Sequence, residues 1–273
     1  MADNIQENTA VKIYAYDGSF EGLLSCIFAI FQTKVPPTAI AIEGLTQFSL
    51  LDETVLIATD LDQAERVLKA VDLYSSERGA QLLYRLFLSE LTHMEMLIYN
   101  MVKIIMAAKD VTILSNFANA TVLEVAQIDR MISREVHRMH AFVRFQKLEN
   151  GLFYAEIEPD FNVLPLIGEH FERRYADQRW LIVDQKRSYG LVYDLQECQF
   201  VDAHNINIRD QQSTHKMDDK ELAFQKLWGV YFHSVNIKER SNLRLHLRHM
   251  PKRYWKHLIE KHPKIEKRMN VAT

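Results

Sequence analysis

Three carboxylates near the middle of the chain have a spacing that could do chemistry. The segment YAEIE predicts a strand, and its two-residue period places Glu156 and Glu158 on one face. Asp160 follows after a proline, at the exit of the strand. Such a set could bind a divalent metal or hold one carboxyl group at a raised pKa for acid–base catalysis. His137 and Arg134, one helical turn apart on the preceding helix, would complete the site if they face it.

The same carboxylates also have a purely structural interpretation. They could line an exposed strand face and pair with Arg144 or with arginines of neighbouring elements, each pair contributing only about 0–1 kcal/mol. Glu135 and Arg138 are further residues that could join a catalytic site. The sequence leaves both interpretations open, and whether the protein is an enzyme stays undecided.

A second group of residues is strongly cationic. Residues 236–268 hold eleven Lys or Arg and three Glu, a local charge of +8 in a chain whose total is −3. Cations placed on phosphates release counterions, and neighbouring aromatic rings can stack on bases. These properties favour a nucleic acid as partner. The candidate binding residues are Lys238, Arg240, Arg244, Arg248, His249, Lys252, Arg253, Trp255 and Lys256.

Two alternatives exist for this basic segment. It also has the pattern of an amphipathic helix, in which Tyr254, Trp255, Leu258 and Ile259 face the core and the cations are solvated. It could instead dock an acidic protein, which would make the chain a scaffold.

Other motifs give little support to cofactor chemistry. No glycine-rich nucleotide fingerprint occurs, so ATP or NAD use is unsupported and no cofactor is evident. Cys26 and Cys198 lack metal-type spacing, and Cys26 has the surroundings of a buried structural thiol. The turn holding Lys186, Arg187 and Tyr189 could reach a phosphate and a base, or be a solvated hairpin tip.

Composition indicates a folded protein without a membrane anchor. The chain has 273 residues, of which 48% are hydrophobic and 25% charged, enough for a substantial core. No apolar run reaches the roughly 18 residues that a membrane span needs. We therefore expect a cytoplasmic protein without membrane contact.

Hydrophobic periodicity predicts an α+β fold with an N-terminal α/β-like and helical section. Strands are expected at 11–16 and 54–58, each followed by a helix capped by Ser19 or Asp60. Helical spacing then covers 77–108, with a break near Thr92, and 115–140. We place the domain boundary at 115/116, giving regions 1–115 and 116–273, which could also form one integrated domain.

The second region is expected to contain an antiparallel sheet with packed helices. Strands at 141–148 and 152–158 flank an Asn-Gly turn signal. A helix at 161–175 and strands at 179–185 and 190–194 complete the order strand, strand, helix, strand, strand. An amphipathic helix at 218–235 precedes the basic segment.

Several long segments resemble a bacterial family of unknown function described as "probable DNA metabolism protein". They are YDGSFEG (16–22), SREVHRM (133–139), AFVRF (141–145), YAEIEPDFNVLP (154–165), SVNIKER (234–240) and RHMPKRYWK (248–256). The similarity also includes Phe171, Arg173, Arg174, Asp177, Gln178, Arg179 and Trp180.

Members of that family accompany a radical S-adenosylmethionine protein or are fused to a uracil-DNA glycosylase-like domain. The resemblance therefore implies a DNA-binding accessory protein of a repair or modification system, with the radical S-adenosylmethionine protein as partner. It supplies no catalytic residues. The alternative is an enzyme acting on a nucleobase, nucleotide or DNA end through the carboxylates and His137.

Overall fold

The computed structural model describes residues 12–45, 53–75, 78–202 and 249–261, together with residues 218, 220, 221, 223–225, 227 and 228. The chain forms two compact units, Met1–Ile132 and Ser133–Thr273, and the division falls inside one long helix. The fold class is α+β, as the sequence predicts.

The first unit contains a three-stranded parallel sheet. Its strands are β1 Lys12–Tyr16, β2 Ala39–Ile42 and β3 Glu53–Leu56, in the order β2-β1-β3. Strand β1 is central, and Tyr14, Ala15 and Tyr16 are buried. Strand β2 was not predicted, because it is only four residues long and closely follows a loop that contains two prolines. The parallel pairing agrees with the α/β character expected for this section.

Helices follow the strands of the first unit. They are α1 Phe20–Thr33, α2 Leu61–Leu73, α3 Gly79–Phe87, α4 Met94–Ala108 and the first part of α5 Ala120–Phe142, whose last ten residues belong to the second unit. The predicted caps are confirmed, since Ser19 accepts from the backbone N–H of Gly22 and Asp60 from that of Gln63. The predicted break near Thr92 is also confirmed, because α3 and α4 are separate helices.

Cys26 lies in α1 and is fully buried, as expected for a structural thiol. Its Sγ donates to the carbonyl of Ala15 at 3.7 Å. Burial, with a smaller contribution from Asp17, raises the pKa of this thiol to about 12. The thiolate is therefore scarce at neutral pH, and Cys26 is a poor nucleophile.

The second unit contains a five-stranded mixed sheet. Its elements are β4 Gln146–Lys147, β5 Phe153–Ile157, α6 Leu164–Arg174, β6 Trp180–Asp184, β7 Tyr189–Tyr193 and β8 Cys198–Asp202. The strands lie in chain order, and all pairings are antiparallel except that of β5 with β6. That pair is parallel because α6 carries the chain back across the sheet, which a hairpin cannot do.

Three details of the second unit differ from the prediction, the first being the parallel pairing of β5 with β6 in a sheet that was expected to be antiparallel. The strand expected at 141–148 is mostly wrong, because α5 continues to Phe142 and only Gln146 and Lys147 pair with β5. Strand β8 was not predicted. The Asn-Gly turn is confirmed, with Gly151 at a φ of 81° and its N–H donating to the carbonyl of Leu148. The turn fixes where β5 begins.

Helix α6 covers one face of the sheet through close packing. A side chain at Gly168 would place its Cβ 2.7 Å from Leu191 Cδ2 on β7, so glycine permits this approach. Phe171 on the same helix lies edge-on to Trp180 of β6, and both are buried. The parallel register pairs Ile157 with Asp184, which places the end of β5 beside the turn that follows β6.

The described part of the basic segment forms two short 3₁₀ helices, Lys252–His257 and Ile259–Lys261. Tyr254 and Leu258 are buried, whereas Lys252, Arg253 and Lys256 are exposed. Four predicted binding residues, Lys238, Arg240, Arg244 and Arg248, lie outside the described residues. Of the helix expected at 218–235, residues 221, 223–225, 227 and 228 are helical. In the described part, no helix has the length and apolar character that crossing a membrane requires.

Candidate nucleic-acid interface

A buried carboxylate connects three elements of the second unit. Glu135, on α5, is 1% exposed. Its two oxygens accept the backbone N–H groups of Asp160 at 2.8 Å and Phe161 at 3.0 Å, just after β5. Tyr254 of the basic segment donates its hydroxyl to Glu135 Oε1 at 2.6 Å. The exit of β5 and the basic segment are thereby held against α5.

Arg253 lies at the junction of these groups. Its Nη2 is 2.7 Å from Asp160 Oδ2 and 3.7 Å from Glu135 Oε1, and it donates to the Tyr254 hydroxyl at 2.7 Å. Burial and the hydrogen bond to Glu135 raise the pKa of Tyr254, so its phenol stays protonated and donates to the carboxylate. Arg253 therefore compensates part of the charge of two carboxylates.

The other predicted carboxylates, Glu156 and Glu158, lie in β5 and directly after it. Lys256 forms an ion pair with Glu158, and His257 Nε2 lies 3.8 Å from Glu158 Oε2. Tyr154 donates to Glu156 Oε1 at 2.7 Å. Within β5, Ala155 and Ile157 are buried and Glu156 is exposed, whereas Glu158 lies one residue beyond the end of the strand. Each carboxylate has its own partner, so the three do not form one centre.

A second cationic element comes from the turn after β6. Lys186 Nζ donates to the carbonyl of Asp160 at 2.7 Å, and Arg187 donates to the same carbonyl at 3.0 Å. The turn is fixed by the fully buried Asp184, which accepts the N–H of Lys186 at 2.9 Å and pairs with Arg187 Nη1 at 2.8 Å. The exit of β5 is therefore flanked by cations from two distant parts of the sequence.

These groups surround an open cavity of about 520 Å³, here called the cationic cavity. Its lining residues are Glu158, Pro159, Asp160, Lys186, Lys252, Arg253 and Lys256. Four cations against two carboxylates give it a formal charge of +2. Lys252 is exposed and forms no ion pair with any residue that the structure describes. The cavity is suited to an anion, because its cations converge from both sides.

A smaller cavity of about 250 Å³, here called the polar cavity, adjoins the first at Lys256. Its lining residues are Arg144, Gln146, Tyr154, Ala155, Glu156, Lys256, His257 and Ile259. His257 Nε2 is buried and makes no hydrogen bond with any described residue. Burial, and secondly the charge of Lys256, lower the pKa of His257, so its imidazole is neutral at neutral pH. His257 thus lines the cavity, and its ring nitrogen Nε2, unpartnered among the described residues, lies just below the cavity surface.

Arg144 does not pair with the carboxylates of β5. Its Nη2 lies 2.9 Å from Glu260 Oε1 in the second 3₁₀ helix, and Trp228 Nε1 donates to Glu260 Oε2 at 3.1 Å. Glu260 is 2% exposed. Arg144, one of the partners that the sequence offered for the glutamates, therefore forms a buried ion pair with Glu260 of the basic segment.

Arg134 and His137 are exposed on α5 and make no hydrogen bond or ion pair with the three carboxylates in the described ranges. Arg138 is half-buried and likewise has no such bond there. On a helix, residue 135 points away from residue 137, and it is Glu135 that faces β5. The missed signal is that Ile132, Glu135 and Met139 share one buried stripe at helical spacing.

The remaining predicted residues are placed as follows. His249 is exposed at the start of the described basic segment. Trp255 is half-buried, donates Nε1 to the carbonyl of Met250 at 3.0 Å, and has Lys261 Nζ 5.0 Å from its ring centre. Among the described residues, no group of three His, Cys, Asp or Glu side chains could hold a metal ion.

The chain belongs to a family defined by a domain of unknown function, DUF4130, whose model matches residues 92–260. The matched range contains Glu135, the β5 carboxylates, the turn after β6 and both 3₁₀ helices except Lys261. No curated protein matches the chain. The family assigns no activity, so the chemistry of the site has to carry the functional conclusion.

Proposed function

We propose that this protein is a DNA-binding accessory protein of a DNA repair or modification system. The observation that carries the proposal is the cationic cavity, where Lys186 from one turn and Lys252, Arg253 and Lys256 from the basic segment surround the exit of β5. A phosphate placed there would meet cations from two sides. The local charge of +8 in residues 236–268 adds a long-range attraction for a polyanion.

The pairing of Arg253 and Lys256 with carboxylates is compatible with phosphate binding. Both cations are exposed, and exposed ion pairs contribute only about 0–1 kcal/mol, so a phosphate can compete for them. Lys252 is available without exchanging a carboxylate in the described structure. Binding should therefore depend mainly on charge.

Base stacking contributes less to the proposal. Lys261 covers one face of Trp255, and the indole N–H is already used by a backbone carbonyl. Contacts to the phosphate backbone position a nucleic acid without reading its sequence. We therefore expect weak sequence preference.

The partner in this proposal is a radical S-adenosylmethionine protein, and its support is the family resemblance. Purified partner and this chain, mixed with and without DNA, should co-elute on size exclusion. Separate elution in both conditions would remove the partner from the proposal while leaving DNA binding intact.

An enzyme acting on a nucleobase, nucleotide or DNA end is the second candidate. The observation that favours it is His257, whose buried Nε2 lacks a hydrogen bond in the described structure and lies beside Glu158. A neutral imidazole near a carboxylate can accept or transfer a proton. Incubating DNA and mononucleotides with the protein, followed by mass spectrometry, separates the candidates: an accessory protein leaves both unchanged.

DNA binding itself is tested by the affinity for single-stranded and duplex oligonucleotides. The double variant Lys252→Ala, Arg253→Ala should lose affinity for both. A matched control is Arg173→Ala, which removes an exposed cation from α6 that is paired with Glu169. Equal effects of the two changes would show that the cavity has no special role.

A further inference from the structure

We propose that a single nucleotide unit occupies both cavities, with its phosphate in the cationic cavity and its sugar and base in the polar cavity beside His257. This inference rests on the proposed function, since it names what the same site holds. The two cavities share Lys256, so a ligand spanning them would contact that side chain between its anionic and its neutral part.

The sequence of β5 determines this arrangement. Tyr154 and Glu156 lie two positions apart in β5, about 6–7 Å along the strand, and Glu158 follows directly after its last residue. Glu158 borders the cationic cavity, and Tyr154 and Glu156 border the polar one. The cavity beside the end of β5 is therefore lined by charged groups, and the cavity beside the strand itself is lined by hydrogen-bonding groups. A nucleotide has two matching parts, an anionic phosphate and a neutral sugar and base.

The polar cavity can recognise a neutral polar group. Neutral His257 lines this cavity, and a ligand that turns its ring slightly would reach Nε2, which is buried without a hydrogen bond to a described residue. Glu156 Oε1 is engaged by Tyr154, whereas its Oε2 accepts no hydrogen bond from the described residues. An amino group or a hydroxyl can therefore bond to Glu156, and a ring nitrogen or amide to His257.

The polar cavity is large enough for a ligand bigger than a few ordered water molecules. Its 250 Å³ is several times the roughly 30 Å³ that one water molecule occupies in the liquid. A phosphate alone would leave this space and the buried Nε2 unused. A polar cavity that continues from an anion site is a reason to expect a nucleotide.

The test compares inorganic phosphate, deoxynucleosides and the four deoxynucleoside 5′-monophosphates as competitors of a labelled single-stranded oligonucleotide. At least one monophosphate should compete at about a tenfold lower concentration than phosphate, the effect of roughly one net hydrogen bond. His257→Leu should remove that tenfold difference and leave competition by phosphate unchanged. Lys252→Ala should weaken competition by both.

Equal competition by phosphate and by all four monophosphates would overturn the inference, as would a His257→Leu variant that keeps the difference. In either case salt-dependent oligonucleotide binding would still support the proposed function. Absence of oligonucleotide binding would contradict both proposals together.

A measurement on the unaltered protein covers the case in which His257→Leu does not fold. The ¹⁵N resonances of the His257 imidazole should shift on addition of the competing monophosphate and remain in place on addition of inorganic phosphate. Unmoved resonances with every monophosphate would overturn the inference. Glu149→Gln, on the exposed turn before β5, serves as a control that should leave all competition unchanged.

Discussion

The hydroxyl of Tyr254 donates a 2.6 Å hydrogen bond to the buried carboxylate of Glu135, which lies 119 residues earlier in the chain. Glu135 also accepts the N–H groups of Asp160 and Phe161. A single carboxylate thus fixes the strand exit and the basic segment to the same helix. The cationic cavity exists because these two pieces are held together.

Replacing Glu135 by Gln should destabilise the second unit. The amide cannot accept all three hydrogen bonds, and leaving a buried donor unsatisfied costs about 1–3 kcal/mol. Urea unfolding should show a lower free energy of unfolding by that amount. Arg134→Ala, at the neighbouring exposed position, should change it by less than about 0.5 kcal/mol. Similar losses for both variants would show that the Glu135 network is not the cause.

Removing the carboxylates of the cavity should strengthen DNA binding. Glu158→Gln and Asp160→Asn each release a paired cation and remove a charge that repels phosphate, so each should raise affinity about three- to tenfold at low salt. Fluorescence anisotropy with a single-stranded oligonucleotide measures this effect.

Glu149→Gln is the matched control for that change in net charge, because Glu149 is exposed and lies outside the cavity. An affinity that rises equally in the control would indicate a general charge effect. Reduced affinity in Glu158→Gln would contradict the assignment of Glu158 as a competitor of phosphate.

Single removal of Lys186 or Lys252 should weaken binding and reduce its dependence on salt. Each cation that contacts a phosphate contributes about one unit to the slope of log affinity against log salt. Lys186→Ala and Lys252→Ala should therefore each lower the slope by about one. A variant that loses affinity at an unchanged slope would show that its lysine does not contact phosphate.

Acid should destabilise the protein partly through His140. Burial, followed by the neighbouring His170 and His137, lowers the pKa of His140 to about 4, and its ring stacks on His170 at 3.9 Å. The folded state therefore favours the neutral ring. The resulting stability is complete above the unfolded pKa of about 6.5 and is lost as the pH falls towards 4.

Between pH 7 and pH 5 the free energy of unfolding should fall by about 1 kcal/mol through this group, less than the full shift because the ring is partly solvated. His140→Phe keeps a ring for stacking and should flatten that part of the pH dependence. His257, whose pKa is also lowered, adds a smaller effect of the same sign that the variant retains. If His140→Phe leaves the pH dependence of the free energy of unfolding unaltered, His140 is not the source of the loss of stability in acid.

Local features of the fold could be predicted because short-range interactions determine them. The Ser19 and Asp60 caps, the break near Thr92 and the Asn-Gly turn all depend on a few adjacent residues. The C-terminal end of α5 was harder to predict, since Phe142 is equally compatible with a strand. The parallel pairing of β5 with β6 depends on the path of α6, which local patterns do not contain.

The candidate site could be predicted in its components but not in its assembly. Glu158, Asp160, Arg253 and Lys256 were each identified, but as two separate sites, because their pairing joins segments about a hundred residues apart. Glu135 was assigned a minor role, since an isolated glutamate in a helix is usually exposed. Only the buried stripe of α5 distinguishes it from Arg134 and His137.

The most direct test of DNA binding is a salt series with the unaltered protein and single-stranded and duplex oligonucleotides. The cationic cavity, with three or four cations on phosphates, should give a slope of log affinity against log salt near −3. The Lys252→Ala, Arg253→Ala variant should reduce that slope by about two. No binding at low salt, or binding that salt does not weaken, would contradict the central claim.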